Sequence, residues 1–400
     1  MIVGTAPFGA TSGWAQSSPF LNEQIQLSDV FADQTVDVVE VTDQTTAVTT
    51  ATGNSFDARA DRADLDGVSY QETQGAVSAT TRLNASVNAG ASSVLATNAS
   101  GNIGDAGVYG GSMTAVTTQL TTGGPISSLS HIEAPDAVAG DIAASVQSLG
   151  NSQGFGVTAG VSGVRATQNN GADVIADGGG FVGQVSGMAA FSAAASGNNI
   201  TSAADGASSE AMITDQNNVS QMVQASQFTA FGNGYVTQTS ATATANNLSA
   251  GNQGPLLQAQ MLQQNSAYVR AQAESSAYQF GSGTATAFGV GNTLLAGQLG
   301  QEVILDATQF NTGGGVEVIA AYTGQDGYDA SSSAMAIGNA ATGYVCSDCE
   351  GRMDIANRQT NDAEIGATST TTVTGTARSV VGSAHAVGNT GSYYVTRPAE

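Results

Sequence analysis

Lysine is absent from this 400-residue chain, and all nine basic residues are arginines. Against them stand 32 acidic residues, for a net charge of −23. Charged residues are only 10% of the chain, so the imbalance comes from missing bases rather than from acid-rich blocks. Such a surface repels phosphate backbones, which excludes nucleic acid as a partner, and it disfavours direct docking on anionic lipid. No apolar run reaches the eighteen residues that a membrane-spanning helix needs. Aromatics are only 6%, and much of the 41% hydrophobic content is Ala and Val, so any core is thin and filled by small side chains. Proline is scarce at six residues, which leaves strands rarely interrupted.

Catalytic residue types are equally sparse. The two histidines, His131 and His385, are far apart in the chain, and no nucleophile motif, phosphate loop or zinc helix occurs. His385 falls where other copies of the repeat described below carry Met335, Thr242 or Ala194, which reads as structural filler. A sugar lyase or hydrolase on a β-solenoid would need a base beside clustered acids, and scattered arginines do not supply one. The net charge leaves two readings open: solubility through self-repulsion, or attraction for cationic glycans and divalent ions.

What is present is periodic. Gln24, Gln71, Gln119, Gln168, Gln216, Gln263, Gln309 and Gln359 recur at intervals of 47, 48, 49, 48, 47, 46 and 50 residues. Each opens a Gln-x-(Asn/Thr/Gln) pattern, which in the last five copies places Asn170, Asn218, Asn265, Asn311 and Asn361 two residues further on. A second mark, Asn54, Asn102, Asn151, Asn198, Asn246, Asn292, Asn339 and Asn389, keeps the same rhythm. Eight contiguous copies of one unit imply a stacked or radial architecture over residues 21–390. Residues 1–20 are then a leader or N-terminal cap, and 391–400 a C-terminal tail. Gly13-Trp14-Ala15-Gln16 resembles the end of a secretion signal but has no basic segment before it, so a signal remnant and a plain leader both remain open. Trp14 and Tyr393-Tyr394 lie outside the repeat and are read as end caps.

Alternation around each glutamine predicts a half-buried strand, as in Leu257, Ala259, Met261, Gln263, Asn265. Carboxamides on the apolar face are tolerable only when paired. Stacked one above another in parallel register they bond along the axis, as in cross-β ladders. The expected fold is therefore all-β, a parallel β-solenoid of eight repeats of about 48 residues, with an eight-bladed β-propeller as the alternative. A single 48-residue hoop has a perimeter of roughly 160 Å, too wide for small side chains to fill unless flattened. The reading adopted is two rungs of about 24 residues per repeat, a rod of roughly 75 Å in which intervening groups bridge the glutamines.

Two further constellations stand out. Cys346-Ser-Asp-Cys349 lies in the longest, 50-residue unit and is read as a loop pinned by a short disulfide, since two more metal ligands are not apparent. Asp57, Asp61, Asp64 and Asp66 form an acidic group that either binds calcium or is an ion-paired loop with Arg59 and Arg62. No other metal or cofactor site is expected.

The Gln-x-Asn strands, the Ala/Gly/Ser/Thr/Asn-rich body and Cys-Ser-Asp-Cys-Glu-Gly ahead of Asn357-Arg-Gln-Thr-Asn361 resemble the HfaD family of holdfast-anchor proteins of stalked α-proteobacteria. The resemblance implies a non-enzymatic, outer-membrane-associated surface protein that fastens adhesive polysaccharide to the cell. Its implied partners are that polysaccharide and other cell-surface anchor proteins. Self-association into a curli-like fibre is the competing expectation.

Overall fold

The computed structural model describes residues 17–346 and 351–396, and every regular element in it is a β-strand. Each inner coil has a ten-residue strand, such as Asp64–Thr73, followed by a long one of 31–33 residues, such as Val77–Tyr109 or Val316–Cys346. In the first coil the long segment is split into Val30–Glu40 and Gln44–Asp61, and in the last into Ile365–Val373 and Ser379–Thr396. All pairing between coils is parallel, and apart from shifts at the bends of four long-strand pairs it is in register: Gln24 faces Gln71, and Gln216 faces both Gln168 and Gln263. The short strands build an eight-stranded sheet and the long ones a ten-stranded sheet, and neither closes on itself. The fold is the expected β-solenoid, and the propeller alternative is set aside because successive units stack instead of fanning.

One repeat makes one coil, not two. The register joins each residue to its counterpart a full repeat away, as in Asn54 to Asn102 and Asn102 to Asn151. The hoop is filled because it is flattened. Within one long strand Thr97 Oγ1 donates to Thr81 Oγ1 at 2.7 Å, and Leu83 and Leu95 share a core cluster, so the strand doubles back on itself near Gly90. Its return leg packs on the short strand at one end, where Leu65 meets Ala106 and Val108. Two layers thus face each other across a thin interior lined by residues such as Ala176, Ala195, Ala225 and Ala243. Eight coils at about 4.8 Å each give a stack of roughly 38 Å, half the expected rod. A return leg of eighteen residues, such as Gln44–Asp61, spans about 60 Å, so the body is a slab broader than it is tall.

The strands run from Ser17 to Thr396, so the stack takes in residues 17–20 and 391–396, beyond the boundaries expected from the repeat. Tyr394 is paired with Tyr344 in register and stacks on it at 5.9 Å between ring centroids. Tyr393-Tyr394 therefore continue the repeat. Trp14 lies outside the described residues.

Candidate functional site

The interior of the slab holds three columns of carboxamides. Burial alternates along each short strand, so Leu257, Ala259, Met261, Gln263 and Asn265 all point inward and are 0–3% exposed. In the first column Nε2 of each glutamine donates to Oε1 of the one before it. Gln71 bonds Gln24 at 2.9 Å, Gln119 bonds Gln71 at 2.9 Å, Gln168 bonds Gln119 at 2.8 Å, and Gln216 bonds Gln168 at 2.9 Å. Gln263, Gln309 and Gln359 extend the line at 2.7, 2.8 and 2.7 Å. The second Nε2 hydrogen crosses the interior to a backbone carbonyl of the return leg, Gln71 to Ile103 at 3.0 Å and Gln216 to Asn247 at 2.8 Å. The glutamines touch directly, with no bridging rung, because one repeat is one coil.

The second landmark is itself a ladder. Asn54 Nδ2 donates to Asn102 Oδ1 at 2.8 Å, and the line continues through Asn151, Asn198, Asn246, Asn292 and Asn339 to Asn389 at 2.7–2.9 Å. Asn54 through Asn339 each also reach across to the short strand of the next coil, as Asn102 does to the Leu120 carbonyl at 2.8 Å. Sequence reading recorded these asparagines only as a rhythm marker. The signal for more was the glycine that precedes most of them. A Cβ at Gly101 would stand 2.6 Å from the Gly150 oxygen and 2.7 Å from Thr121 Cγ2, so glycine permits the close approach there, while Ala245 takes the position in the fifth coil.

The third column is partial. Asn170 bonds Asn218 at 3.0 Å, Asn265 bonds Asn311 at 2.8 Å, and Asn311 bonds Asn361 at 2.7 Å. Between Asn218 and Asn265 the line breaks: Asn218 Oδ1 takes the Ser220 hydroxyl at 3.0 Å, and Asn265 Oδ1 takes the Ala267 N–H at 3.1 Å. Thr73 and Thr121 occupy this position in earlier coils.

The remaining sequence candidates are dispersed. Asp57 pairs with Arg59 at 2.9 Å, and Asp61 lies 3.9 Å from Arg62. Asp64 accepts the Ser112 hydroxyl at 2.7 Å and its N–H at 2.9 Å, bonds that hold its carboxyl below the usual carboxylate range. Among the described residues no group of three or more His, Cys, Asp or Glu side chains converges as a metal would require. Cys346 is buried at the end of a long strand, and Cys349 lies outside the described residues. His131 sits on the outer face 3.3 Å from Glu133, while His385 is exposed on the last coil.

One carboxyl that sequence reading missed is buried. Glu210 occupies an inward position beside Leu257 in register, takes a hydrogen bond from Ser202, and is pushed up to about 7 by desolvation. No helix among the described residues is long and apolar enough to cross a membrane.

Two continuous carboxamide ladders, a third partial one and broad polar faces define a parallel β-solenoid. The family model described as Holdfast attachment protein D matches residues 39–315, more than half of the chain. The chain belongs to this family, which places it among proteins of holdfast attachment at the cell envelope or surface. Comparison with curated proteins and with solved structures finds no match.

Proposed function

We propose that this chain is a non-enzymatic surface anchor that fastens adhesive polysaccharide to the outer envelope, alongside other anchor proteins. The observation that carries the reading is the continuous glutamine column from Gln24 to Gln359, joined coil to coil at 2.7–2.9 Å. Force along the stack is shared by that column, the asparagine column and the parallel backbone ladders, so no single contact bears the load. The wide faces offer many weak polar contacts to a polymer, and avidity replaces a deep pocket. A calcium bridge to the acidic surface and a Cys346–Cys349 staple belong to the same reading. The test is holdfast retention under shear. Cells lacking the chain shed holdfast into the medium, and cells resupplied with it retain it; retention without the chain would sink the proposal.

Self-association is a second reading, favoured by the polarity of the columns. Among the described residues the glutamine column ends on Nε2 of Gln24 at one face and Oε1 of Gln359 at the other. The asparagine column ends on Oδ1 of Asn54 and Nδ2 of Asn389. A second copy added head to tail meets both columns with donor against acceptor.

A further inference from the structure

At the bend where each long strand doubles back, coils four to seven present polar and aromatic side chains to solvent. Gln184, Asn233, Gln279 and Asp326 are successive partners in register, three exposed carboxamides followed by a half-buried carboxylate. Beside them runs a second line. Val236 pairs with Ser282, Ser282 with Asp329, and Asp329 with Ser379. The residues just before these, Tyr235, Gly281, Tyr328 and Arg378, therefore follow one another along the stacking axis. Tyr235 and Tyr328 are 67% and 64% exposed, among the most exposed aromatic side chains described.

The line has a gap in it. Arg378 N–H donates to the Tyr328 carbonyl at 2.7 Å, and its guanidinium carbon stands 6.0 Å from the Tyr328 ring centroid. Tyr328 is thus supported from the eighth coil, and its free side looks toward Gly281. A Cβ at Gly281 would fall 2.4 Å from the Tyr235 carbonyl oxygen and 3.4 Å from Tyr235 Cδ2, so the intervening coil carries no side chain and the Tyr235 ring borders it directly. The backbones of the two tyrosines stand two coil spacings apart, about 9.6 Å, on either side of a coil that adds no side chain of its own. The surrounding cleft is 590 Å³ and includes the Gln184–Asp326 line.

We propose that this cleft is a binding subsite for a pyranose glycan without acidic groups, its rings packed against Tyr235 and Tyr328. The proposal rests on the anchor reading and names where the polymer is held. A sugar ring offers apolar C–H faces and a rim of hydroxyls. Exposed tyrosine rings match the faces, and the carboxamides of Asn233 and Gln279 match the rim, together with Asp326, whose Oδ1 already takes the Thr376 N–H at 2.9 Å and hydroxyl at 3.1 Å. Charge selects against acidic polymers. The chain carries −23 overall, and Arg378, the cation at the cleft, is already paired with Asp329. The second subsite dimension follows from the fold: a polymer running along the axis passes the carboxamides of successive coils.

The test uses the full chain with three hexasaccharides: cellohexaose (neutral), a glucosamine hexamer (amino-bearing) and an oligogalacturonate (acidic). Titration calorimetry is expected to show binding of the neutral or the amino-bearing probe and none of the acidic one. Tyr235→Ala and Tyr328→Ala should each weaken it at least tenfold with unchanged melting. Tyr109→Ala, at the opposite narrow edge and 51% exposed, should leave it unchanged. Binding of the acidic probe alone, of none, or equal binding by parent and both tyrosine variants overturns the cleft. Shear retention in resupplied cells separates the two readings. Normal retention with both tyrosines replaced removes the cleft and leaves the anchor standing; normal retention without the chain removes the anchor.

Discussion

Gln71 stitches the two layers of its own coil, and Asn102 ties the return leg of that coil to the short strand of the next, while their columns point in opposite directions. Gln71 donates to Gln24 in the preceding coil and, across the interior, to the carbonyl of Ile103, the residue after Asn102. Asn102 donates to Asn151 in the following coil and to the carbonyl of Leu120, the residue after Gln119. Both hydrogens of each carboxamide are used, and their acceptors lie in both layers. A buried amide is costly only when unpaired, so the interior tolerates these polar columns where apolar volume is scarce.

The first prediction concerns removal of one link. Gln216→Leu keeps the volume but leaves Gln168 Oε1, the Asn247 carbonyl and one Gln263 hydrogen unpaired in a buried site. Each orphaned group costs about 1–3 kcal/mol, so a loss on the order of 3 kcal/mol or more is expected. Gln24→Leu, at the half-buried end of the same column, should cost far less. Because repeats can unfold in parts, hydrogen exchange resolved by coil is the measurement. Equal effects at the two positions would show that the column contributes nothing as a unit.

Glu210 makes stability depend on pH. Burial raises its carboxyl from 4.5 to about 7 in the folded chain, so the folded state holds the proton more tightly than the unfolded one. Stability is then full below about 4.5 and falls as pH rises through about 7. At about 1.4 kcal/mol per unit the loss is on the order of 3 kcal/mol. Glu210→Gln should melt higher than the parent at pH 8 and show a flatter profile between pH 5 and 7. A parent profile without that slope contradicts the burial argument.

A corner repeated over four coils gives a third prediction. Arg62, Gly110, Ala159 and Gly206 each take the positive-φ turn after the long strand, with φ of 52°, 66°, 52° and 69°. A left-handed conformation costs an ordinary residue roughly 1–2 kcal/mol, partly offset by the greater freedom of glycine when unfolded. Ala159→Gly should therefore stabilise by about 0.5–1 kcal/mol, read as a rise in the denaturant midpoint. Gly110→Ala should lose a similar amount.

Much of this fold is legible in the residues, and the illegible part has a physical reason. The glutamine column could be read because identical residues at one spacing can bond only when stacked. The number of residues per coil could not. The short strand and the doubled long strand share no pattern, and the doubling-back is marked differently in each coil: an Asn88 Oδ1 turn on the Gly90 N–H at 2.9 Å in one, Pro135, Asn233-Gly234 or Asp326-Gly327 in others. A flattened hoop also needs only alanine-sized filling, which composition shows without showing its cause. Glu210 was hidden because one carboxylate among 32 acidic residues carries no mark of burial until its neighbours Ser202 and Leu257 are placed. Tyr235, Gly281 and Tyr328 share a line only through register, since no recurring residue type links them.

The opposed columns also predict how copies of the chain meet. Head-to-tail stacking sets the outward Gln24 Nε2 against Gln359 Oε1, and Asn389 Nδ2 against Asn54 Oδ1. Repulsion between bodies of net charge −23 opposes this at low salt and weakens as the Debye length falls from about 10 Å at 0.1 M to about 3 Å at 1 M. Sedimentation velocity should therefore show larger species as salt rises. Gln24→Glu retains an acceptor for Gln71 but replaces the outward donor with a carboxylate, at the cost of its bond to the Ser55 carbonyl. That variant should remain folded and stay monomeric at the salt where the parent associates. If the parent is monomeric throughout, or the variant associates equally, the exposed column ends do not direct assembly.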